Sequence, residues 1–228
     1  MLKDLFDKHG VSDPTRSIGS KTALAGLAYE EFVESIFSNT EIINKFNNKE
    51  KAAKISEQIF YQTCAKHNID FIDTIEIVDV PKRDSGGPPK TDICVNINGV
   101  FIKISVKQSS STNIAVAEFD VDTIKEEVGI TDTTLLQLMN KFQADASGKN
   151  FNAQERETLK SKIAPIKKEF VRWTLTGCPD QDDEDLRIAN HTIMFKVDYS
   201  TRYIKSFTTY TIEQQVDTII SRASGYGT

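Results

Sequence analysis

Several features that would assign a chain to a particular class are scarce in these 228 residues. The three cysteines, Cys64, Cys94 and Cys178, are odd in number and scattered, which predicts reduced thiols rather than disulfides or a zinc cluster. The three histidines are far apart and form no metal-ligand pattern. Apolar runs are short and the first ten residues mix charged with apolar side chains, so neither a membrane span nor a signal peptide is predicted. These absences favour a cytoplasmic protein with no membrane partner.

Basic charge is in deficit over the whole chain, but it is unevenly distributed. The formal net charge is -5, which counts against simple attraction to DNA phosphates. Between residues 141 and 172, however, the sequence has eight basic and four acidic side chains. Nucleic-acid binding requires a basic face rather than a basic protein. Composition alone therefore leaves DNA binding open.

The spacing of apolar residues alternates between helical and strand patterns. Helices are predicted over residues 21–37, 51–66, 121–127, 133–142, 152–175 and 211–221. Strands are predicted over residues 73–80, 91–98, 100–107, 187–197 and 201–207, with loops at 81–89 and 108–113. No internal repeat is present and the length suits one core. We therefore expect a single α/β (α+β) domain over residues 1–228, with a short central sheet flanked by helices.

Two of these strands form the clearest local feature of the sequence. Asn98-Gly99 lies between them and is a strong signal for a two-residue hairpin turn. That turn places Ile93, Val95 and Ile97 opposite Ile104, Ile102 and Val100 on an apolar face. On the other face, Asp92 lies opposite Ser105, and Lys107 projects from the same side. The register thus brings a carboxylate, a hydroxyl and an ammonium group to one end of the hairpin.

Phosphodiester cleavage uses side chains of these types. A carboxylate can hold a divalent cation near the scissile phosphate, and a lysine can stabilise the developing charge or help to deprotonate the attacking water. Pro89, Asp92, Ser105 and Lys107 fit the PD-(D/E)xK nuclease pattern loosely, with Ser105 in place of the second acid. The pattern is short, and the competing interpretation is an ordinary solvated face of a hairpin.

Longer blocks of sequence carry more information than this pattern. The colinear blocks are PPKTD at 88–92, ISVKQSS at 104–110, VAEFDVDTI at 116–124, VGITD at 128–132 and FVRW at 170–173. Together they resemble the MspI family of type II restriction endonucleases, in the PD-(D/E)xK superfamily. A weaker likeness extends over residues 26–37 and 225–228, so the resemblance covers most of the chain.

This resemblance implies a fold, an activity and a cofactor. The fold would be a restriction-endonuclease-like central mixed β-sheet flanked by helices. The activity would be Mg²⁺-dependent hydrolysis of double-stranded DNA at a short palindrome, CCGG, cut after the first C. Asp92 matches the metal-binding catalytic aspartate and Lys107 the catalytic lysine. Ser105 matches a position where the family has asparagine, so it is a candidate catalytic and metal residue, either directly or through a water.

The resemblance also suggests which residues contact DNA. Gln108, Ser109 and Ser110 follow the catalytic strand in a polar stretch that can bond phosphates and base edges, the alternative being a solvated turn. Glu118 can accept a hydrogen bond from cytosine N4, the alternative being a salt bridge. Glu30 lies on the first predicted helix, where many nucleases of this fold place a supporting acid, but the pattern itself favours the alternative, an ordinary solvated helix face.

The expected partner is double-stranded DNA, together with a DNA methyltransferase that acts on the same sites without binding this chain. The oligomeric state stays open, a monomer being one expectation. The resemblance implies a basic, aromatic DNA-contacting tail beyond residues 225–228, whereas this sequence stops at Thr228, either because it is truncated or because this relative manages without the tail. Two other classes of function remain: a DNA-binding protein of the same fold with a decayed site, which Ser105 favours, and a repair-type nuclease with another target.

Overall fold

The structure is a computed structural model that describes residues 2–82, 89–110, 120–145, 148–178, 184–198 and 200–222. The chain forms two compact units. We call Met1–Ile114 with Glu184–Thr211 the sheet unit, and Ala115–Asp183 with Ile212–Thr228 the helical unit. In sequence, most of the helical unit is inserted between the two segments of the sheet unit. The expectation of one domain over residues 1–228 stays a prediction.

The described elements are nine helices and five strands. The helices are α1 (Leu2–Lys8), α2 (Ile18–Phe37), α3 (Thr40–Asn47), α4 (Ile55–Lys66), α5 (Val121–Val128), α6 (Thr133–Asp145), α7 (Ala153–Ile163), α8 (Lys167–Thr176) and α9 (Ile212–Arg222). The strands are β1 (Ile75–Val78), β2 (Ile93–Ile97), β3 (Val100–Ser109), β4 (His191–Val197) and β5 (Ile204–Thr211).

The helices differ from the sequence-based expectation in two ways. Helices α1 and α3, of seven and eight residues, lie in segments for which the sequence predicted no helix. The single helix expected over residues 152–175 is divided into α7 and α8 by a 3₁₀ turn, Ala164–Ile166. Pro165 explains the division, since proline has no N–H to donate and its ring clashes with the preceding helical turn.

The five strands form one mixed sheet in the order β1-β2-β3-β4-β5. Strands β3 and β4 pair in parallel, and the other three pairs are antiparallel. A parallel pair requires a long crossover connection, which here runs through the inserted helical unit. The predicted central mixed sheet flanked by helices is therefore confirmed.

The β2–β3 hairpin has the predicted register. Asn98 and Gly99 both have positive φ angles, 53° and 85°, as a type I′ turn requires. Ile97 pairs with Val100 and Ile93 with Ile104, so the apolar face is the expected one. The opposite face is not solvated along its length, because Cys94 and Lys103 are fully buried.

Each unit has its own apolar core. In the sheet unit, the aromatic rings of Tyr29 and Phe32 on α2 pack against Phe195 on β4, with ring centroids 5.3 and 6.2 Å apart. In the helical unit, the largest buried side chain is Trp173 of α8. All three cysteines are free thiols, as predicted. Within the described ranges, no helix is both long and apolar enough to cross a membrane.

Candidate active site

Asp92 is the centre of the candidate site and lies one residue before strand β2. Its backbone N–H donates to the carbonyl oxygen of Ile104 at 2.9 Å, which extends the β2–β3 ladder to the aspartate. Its carboxylate Oδ2 accepts the N–H of Val106 at 2.7 Å and the hydroxyl of Ser105 at 3.3 Å. The Nζ of Lys107 lies 3.9 Å from the same oxygen. The structure thus brings together the three residues that the hairpin register predicted.

These three side chains differ in their access to solvent. Ser105 is 1% exposed, and its hydroxyl hydrogen points at Asp92. The side chain of Asp92 is 20% exposed and that of Lys107 is 35% exposed. The carboxylate and the ammonium group are therefore accessible from solvent, whereas the Ser105 hydroxyl is buried and contacts Asp92 from the protein interior. The two hydrogen bonds and the ion pair described above all fall on Oδ2, and the charge of Lys90 also acts on this carboxylate.

Burial raises the pKa of Asp92 above its ordinary value. The positive charge of Lys107 and the hydrogen bonds from Val106 and Ser105 act in the opposite direction but do not cancel it. The carboxylate is thus held in an environment that solvates its negative charge poorly. A divalent cation would supply the missing charge, and an oxygen ligand of this kind suits a hard ion.

Glu30 on helix α2 is close enough to Asp92 and Lys107 to interact with their charges. Burial raises its pKa, and the negative charge of Asp92 raises it further, while Lys107 and His9 lower it. Glu30 is half-buried, unlike the solvated helix position that was the alternative interpretation. The described residues contain no group of three His, Cys, Asp or Glu side chains able to hold a metal without help. Two acids with waters and substrate phosphate are nevertheless a donor set that fits Mg²⁺.

The structure describes three of the four residues that were predicted to contact DNA. Gln108 and Ser109 are part of strand β3 rather than of the loop predicted over residues 108–113, and Ser110 follows the strand directly. Gln108 donates from Nε2 to the carbonyl oxygen of Thr22 at 2.9 Å, and its buried Oε1 has no hydrogen-bond partner within the described residues. Glu118 lies outside the described residues. Contact between DNA and any of these four side chains stays a prediction.

Two polar side chains that the hairpin pattern did not single out lie in the sheet unit and are fully buried. Lys103 lies two residues before Ser105 on the same face of β3, and His191 begins strand β4 in register with Ile104. His191 Nδ1 is 3.1 Å from Nε2 of His67, and burial lowers the pKa of His191 to about 3. The alternation along β3 could have indicated Lys103, but no local signal reveals the His67–His191 pair, since it joins distant segments.

A mixed sheet that carries an aspartate and a lysine on adjacent antiparallel segments is the restriction-endonuclease-like arrangement. Comparison with known proteins agrees with this class. The family model described as restriction endonuclease MspI matches residues 12–226. Type II restriction enzyme MspI of Moraxella sp. is 27% identical over 241 residues, covering 100% of this chain and 91% of that protein. The chain therefore belongs to the restriction endonuclease MspI family, a family of nucleases.

A solved structure gives the same result in three dimensions. The crystal structure of restriction endonuclease MspI in complex with its cognate DNA has a TM-score of 0.84 and 26% sequence identity with this chain. The match covers 97% of this chain and 88% of that one. The blocks of sequence on which the family resemblance rested therefore indicated the right family and the right fold.

Proposed function

We propose that this protein is a Mg²⁺-dependent type II restriction endonuclease that hydrolyses phosphodiester bonds in double-stranded DNA. The observation that carries the proposal is the convergence of Asp92, Ser105 and Lys107 within hydrogen-bond or ion-pair distance, in a chain that the family matches over nearly its full length. Family likeness alone is compatible with a decayed site. Side chains still arranged for phosphodiester chemistry favour an active one.

The proposed metal position is at the carboxylate of Asp92. Glu30 would contribute a second carboxylate, and the charge of Asp92, which raises the pKa of Glu30, supports that assignment. When bound, the ion would supply Lewis acidity and lower the pKa of a water molecule near the scissile phosphate. Ser105 would hold Asp92 through the hydrogen bond to Oδ2, with direct or water-mediated contact to the metal as its further role.

Lys107 would act on the substrate. Its ammonium group is partly exposed and lies 3.9 Å from Asp92 Oδ2, so it is held beside the carboxylate that would bind the metal. From there it can donate to a phosphate oxygen and stabilise the charge that develops during hydrolysis, or orient the attacking water. A lysine without the neighbouring carboxylate would be free to adopt many rotamers, so the ion pair also lowers the entropic cost of positioning it.

The proposed target is CCGG, cut after the first C. Gln108, Ser109 and Ser110 would contact the duplex beside the catalytic strand, and Glu118 would accept a hydrogen bond from cytosine N4 in the major groove. We place the enzyme in the cytoplasm with a methyltransferase that protects the same sites. Repair-type cleavage at another target remains the second candidate, since 27% identity is compatible with a changed target.

The test is digestion of a plasmid of known sequence with purified protein and Mg²⁺. Discrete fragments ending within CCGG are the expected result, with no cleavage in EDTA and none on DNA methylated at those sites. Discrete fragments with other ends would keep the enzyme class and change the target. A smear would indicate a nonspecific nuclease. Intact plasmid that the protein still retards in a gel would show a decayed site and overturn the proposal.

A further inference from the structure

The backbone that leads into Asp92 is held by a distant part of the chain. The N–H groups of Lys90 and Thr91 both donate to the carbonyl oxygen of Arg187, at 3.1 and 3.3 Å. These bonds lie beyond the end of the β2–β3 ladder, which reaches only as far as the N–H of Asp92. One carbonyl group therefore directs the path of the chain into the proposed metal-binding aspartate.

An ion pair within one short turn holds that carbonyl group in place. Arg187 donates from Nε and Nη2 to the two carboxylate oxygens of Asp185, at 2.8 to 3.1 Å. The backbone N–H of Arg187 also donates to Asp185 Oδ1 at 2.8 Å. The side-chain hydrogen bond from Arg187 keeps the pKa of Asp185 below its ordinary value, so the pair stays charged at neutral pH. Bidentate pairing restricts the guanidinium to one orientation.

The same turn is attached to strand β3 through the buried Lys103. Lys103 Nζ donates to the carbonyl oxygen of Asp185 at 3.0 Å. Its backbone N–H donates to Asn190 Oδ1 at 2.8 Å, and its carbonyl oxygen accepts the N–H of Asn190 at 2.9 Å. A fully buried ammonium group is costly unless it is hydrogen-bonded, so moving the turn away from Lys103 is strongly disfavoured. We call residues 185–190 the clamp segment.

The clamp segment thus joins two parts of the site. One end of its hydrogen-bond network is Lys103, on the strand that also carries Ser105 and Lys107. The other end is the N–H pair that precedes Asp92. We propose that Asp185 and Arg187 are positioning residues that set the placement of the Asp92 carboxylate relative to Lys107. This inference rests on the proposed function, because it assigns a purpose to the network only if Asp92 binds the catalytic metal.

The test uses two substitutions in the clamp segment and one matched control. Asp185→Asn removes the charge of the ion pair with almost no change of shape. Arg187→Lys keeps the positive charge but loses the bidentate geometry. The control is Asp198→Asn in the turn between β4 and β5 of the same unit. Asp198 also accepts backbone N–H groups, from Ser200 and Thr201, and pairs with Lys205 at 2.8 Å.

Two measurements require no turnover. The first is Mn²⁺ binding to the protein alone, followed by loss of the free-ion signal in electron paramagnetic resonance. The second is hydrogen exchange of the amides of Lys90 and Thr91. We expect Asp185→Asn to need about tenfold more Mn²⁺ than the wild type, Arg187→Lys to be intermediate, and both amides to exchange faster. The control should behave as the wild type in both measurements.

Kinetics on cleavable DNA provide the third measurement. Asp185→Asn should lower kcat by about ten- to a hundredfold even at saturating Mg²⁺, while KM for DNA changes less than about threefold. A general loss of structure would instead lower the melting temperature and affect the control variant in the same way. If both clamp variants match Asp198→Asn in Mn²⁺ binding, amide exchange and kcat, the positioning role is wrong.

The result also separates this inference from the proposed function. If the wild type binds Mn²⁺ but cuts no DNA, the proposed function fails. The clamp is then judged by Mn²⁺ binding and exchange alone. If Asp185→Asn does not fold, Arg187→Lys carries the same comparison, since it retains the charge. If the wild type cuts DNA and the clamp variants have wild-type Mn²⁺ binding, amide exchange and kcat, the proposed nuclease function is supported and the positioning role of Asp185 and Arg187 is wrong.

Discussion

The sheet unit and the helical unit place their polar side chains differently. In the sheet unit, charged or ionisable groups are buried within the fold, with Glu57, Lys103 and His191 each 2% exposed or less. In the helical unit, among the described residues, the charged side chains are at least partly exposed. Examples are the ion pairs of Lys141 with Glu155 and of Lys162 with Asp132.

This difference in burial suggests different roles for the charged side chains of the two units. Burying a charged group costs free energy unless it is paired, so a fold that buries several has a structural or chemical use for them. Exposed ion pairs contribute little to stability, but exposed basic side chains attract phosphate over distance. We therefore expect substitutions in the sheet unit to change the rate of cleavage. Substitutions in the helical unit should change affinity for DNA.

The largest effect is expected at the two ends of the ion pair in the site. Asp92→Asn and Lys107→Gln should each lower the cleavage rate by at least about a thousandfold, because each removes a group that we propose acts on the metal or on phosphate. Retardation of duplex DNA in a gel without Mg²⁺ should stay within about threefold of the wild type. Near-normal turnover in either variant would show that the chemistry lies elsewhere.

Asp92→Asn should also leave the melting temperature unchanged or raise it at neutral pH. The folded-state pKa of Asp92 is raised, so the folded protein holds a proton more readily than the unfolded chain does. Stability from this group is gained as the pH falls through the folded pKa, and it is absent at neutral pH. At neutral pH the buried carboxylate is charged, and burying that charge costs free energy of folding, a cost that a neutral amide does not have. A clear fall in melting temperature would mean that the carboxylate stabilises the fold.

The next largest effect is expected at Glu30, whose role the sequence left open. Glu30→Gln should raise the Mg²⁺ concentration for half-maximal rate by about ten- to a hundredfold. Because burial raises the pKa of both Glu30 and Asp92, the Mg²⁺ requirement of the wild type should also rise with acidification sooner than for ordinary carboxylates. The control is Glu31→Gln on the same helix, since Glu31 pairs with Lys8 and His9 instead. Equal effects at Glu30 and Glu31 would remove Glu30 from the site.

A smaller effect is expected at Ser105. Ser105→Ala removes one hydrogen bond to Asp92 and should lower the rate about tenfold, equivalent to roughly 1.4 kcal/mol at the transition state. Ser105→Asn replaces the hydroxyl with an amide and should keep or raise the rate, because an amide oxygen can approach the proposed metal position. An alanine variant with unchanged rate and unchanged Mg²⁺ dependence would make Ser105 a bystander.

The smallest effect is expected in the helical unit. Lys160 is exposed and has no ion-pair partner among the described residues, whereas Lys162 lies 2.6 Å from Asp132. Lys160→Ala should weaken binding equally on all sequences and reduce the slope of log affinity against log salt by about one. Lys162→Ala should do less, and neither should alter kcat. A change in kcat without a change in salt slope would break the contrast between the two units.

Sequence could predict the features that depend on neighbours along the chain. Asn98-Gly99 sets the hairpin turn, and its register places Asp92, Ser105 and Lys107 together without knowledge of the rest of the fold. Family resemblance added the mixed sheet, which strand patterns alone do not specify. The pairing of β3 with β4 depends on residues that are far apart in sequence.

The rest could not be read from local patterns because it depends on distant residues. The sequence does not distinguish Glu30 from Glu31 and Glu34 on the same helix, and only the fold brings Glu30 near the charge of Asp92. The carbonyl oxygen of Arg187 has no side-chain signature at all, although it directs the backbone before Asp92. The sequence pattern also predicts one helix where the structure has α7 and α8, because the apolar spacing continues across Pro165.

The insertion of the helical unit between β3 and β4 has a consequence for the timing of synthesis. Asp92, Ser105 and Lys107 emerge from the ribosome early, but β4, β5 and the clamp segment follow only after residues 115–183. Closing so long a connection makes assembly of the parallel pair slow. We expect nascent chains that end at residue 183 to cleave no DNA, as arrested translation complexes would show.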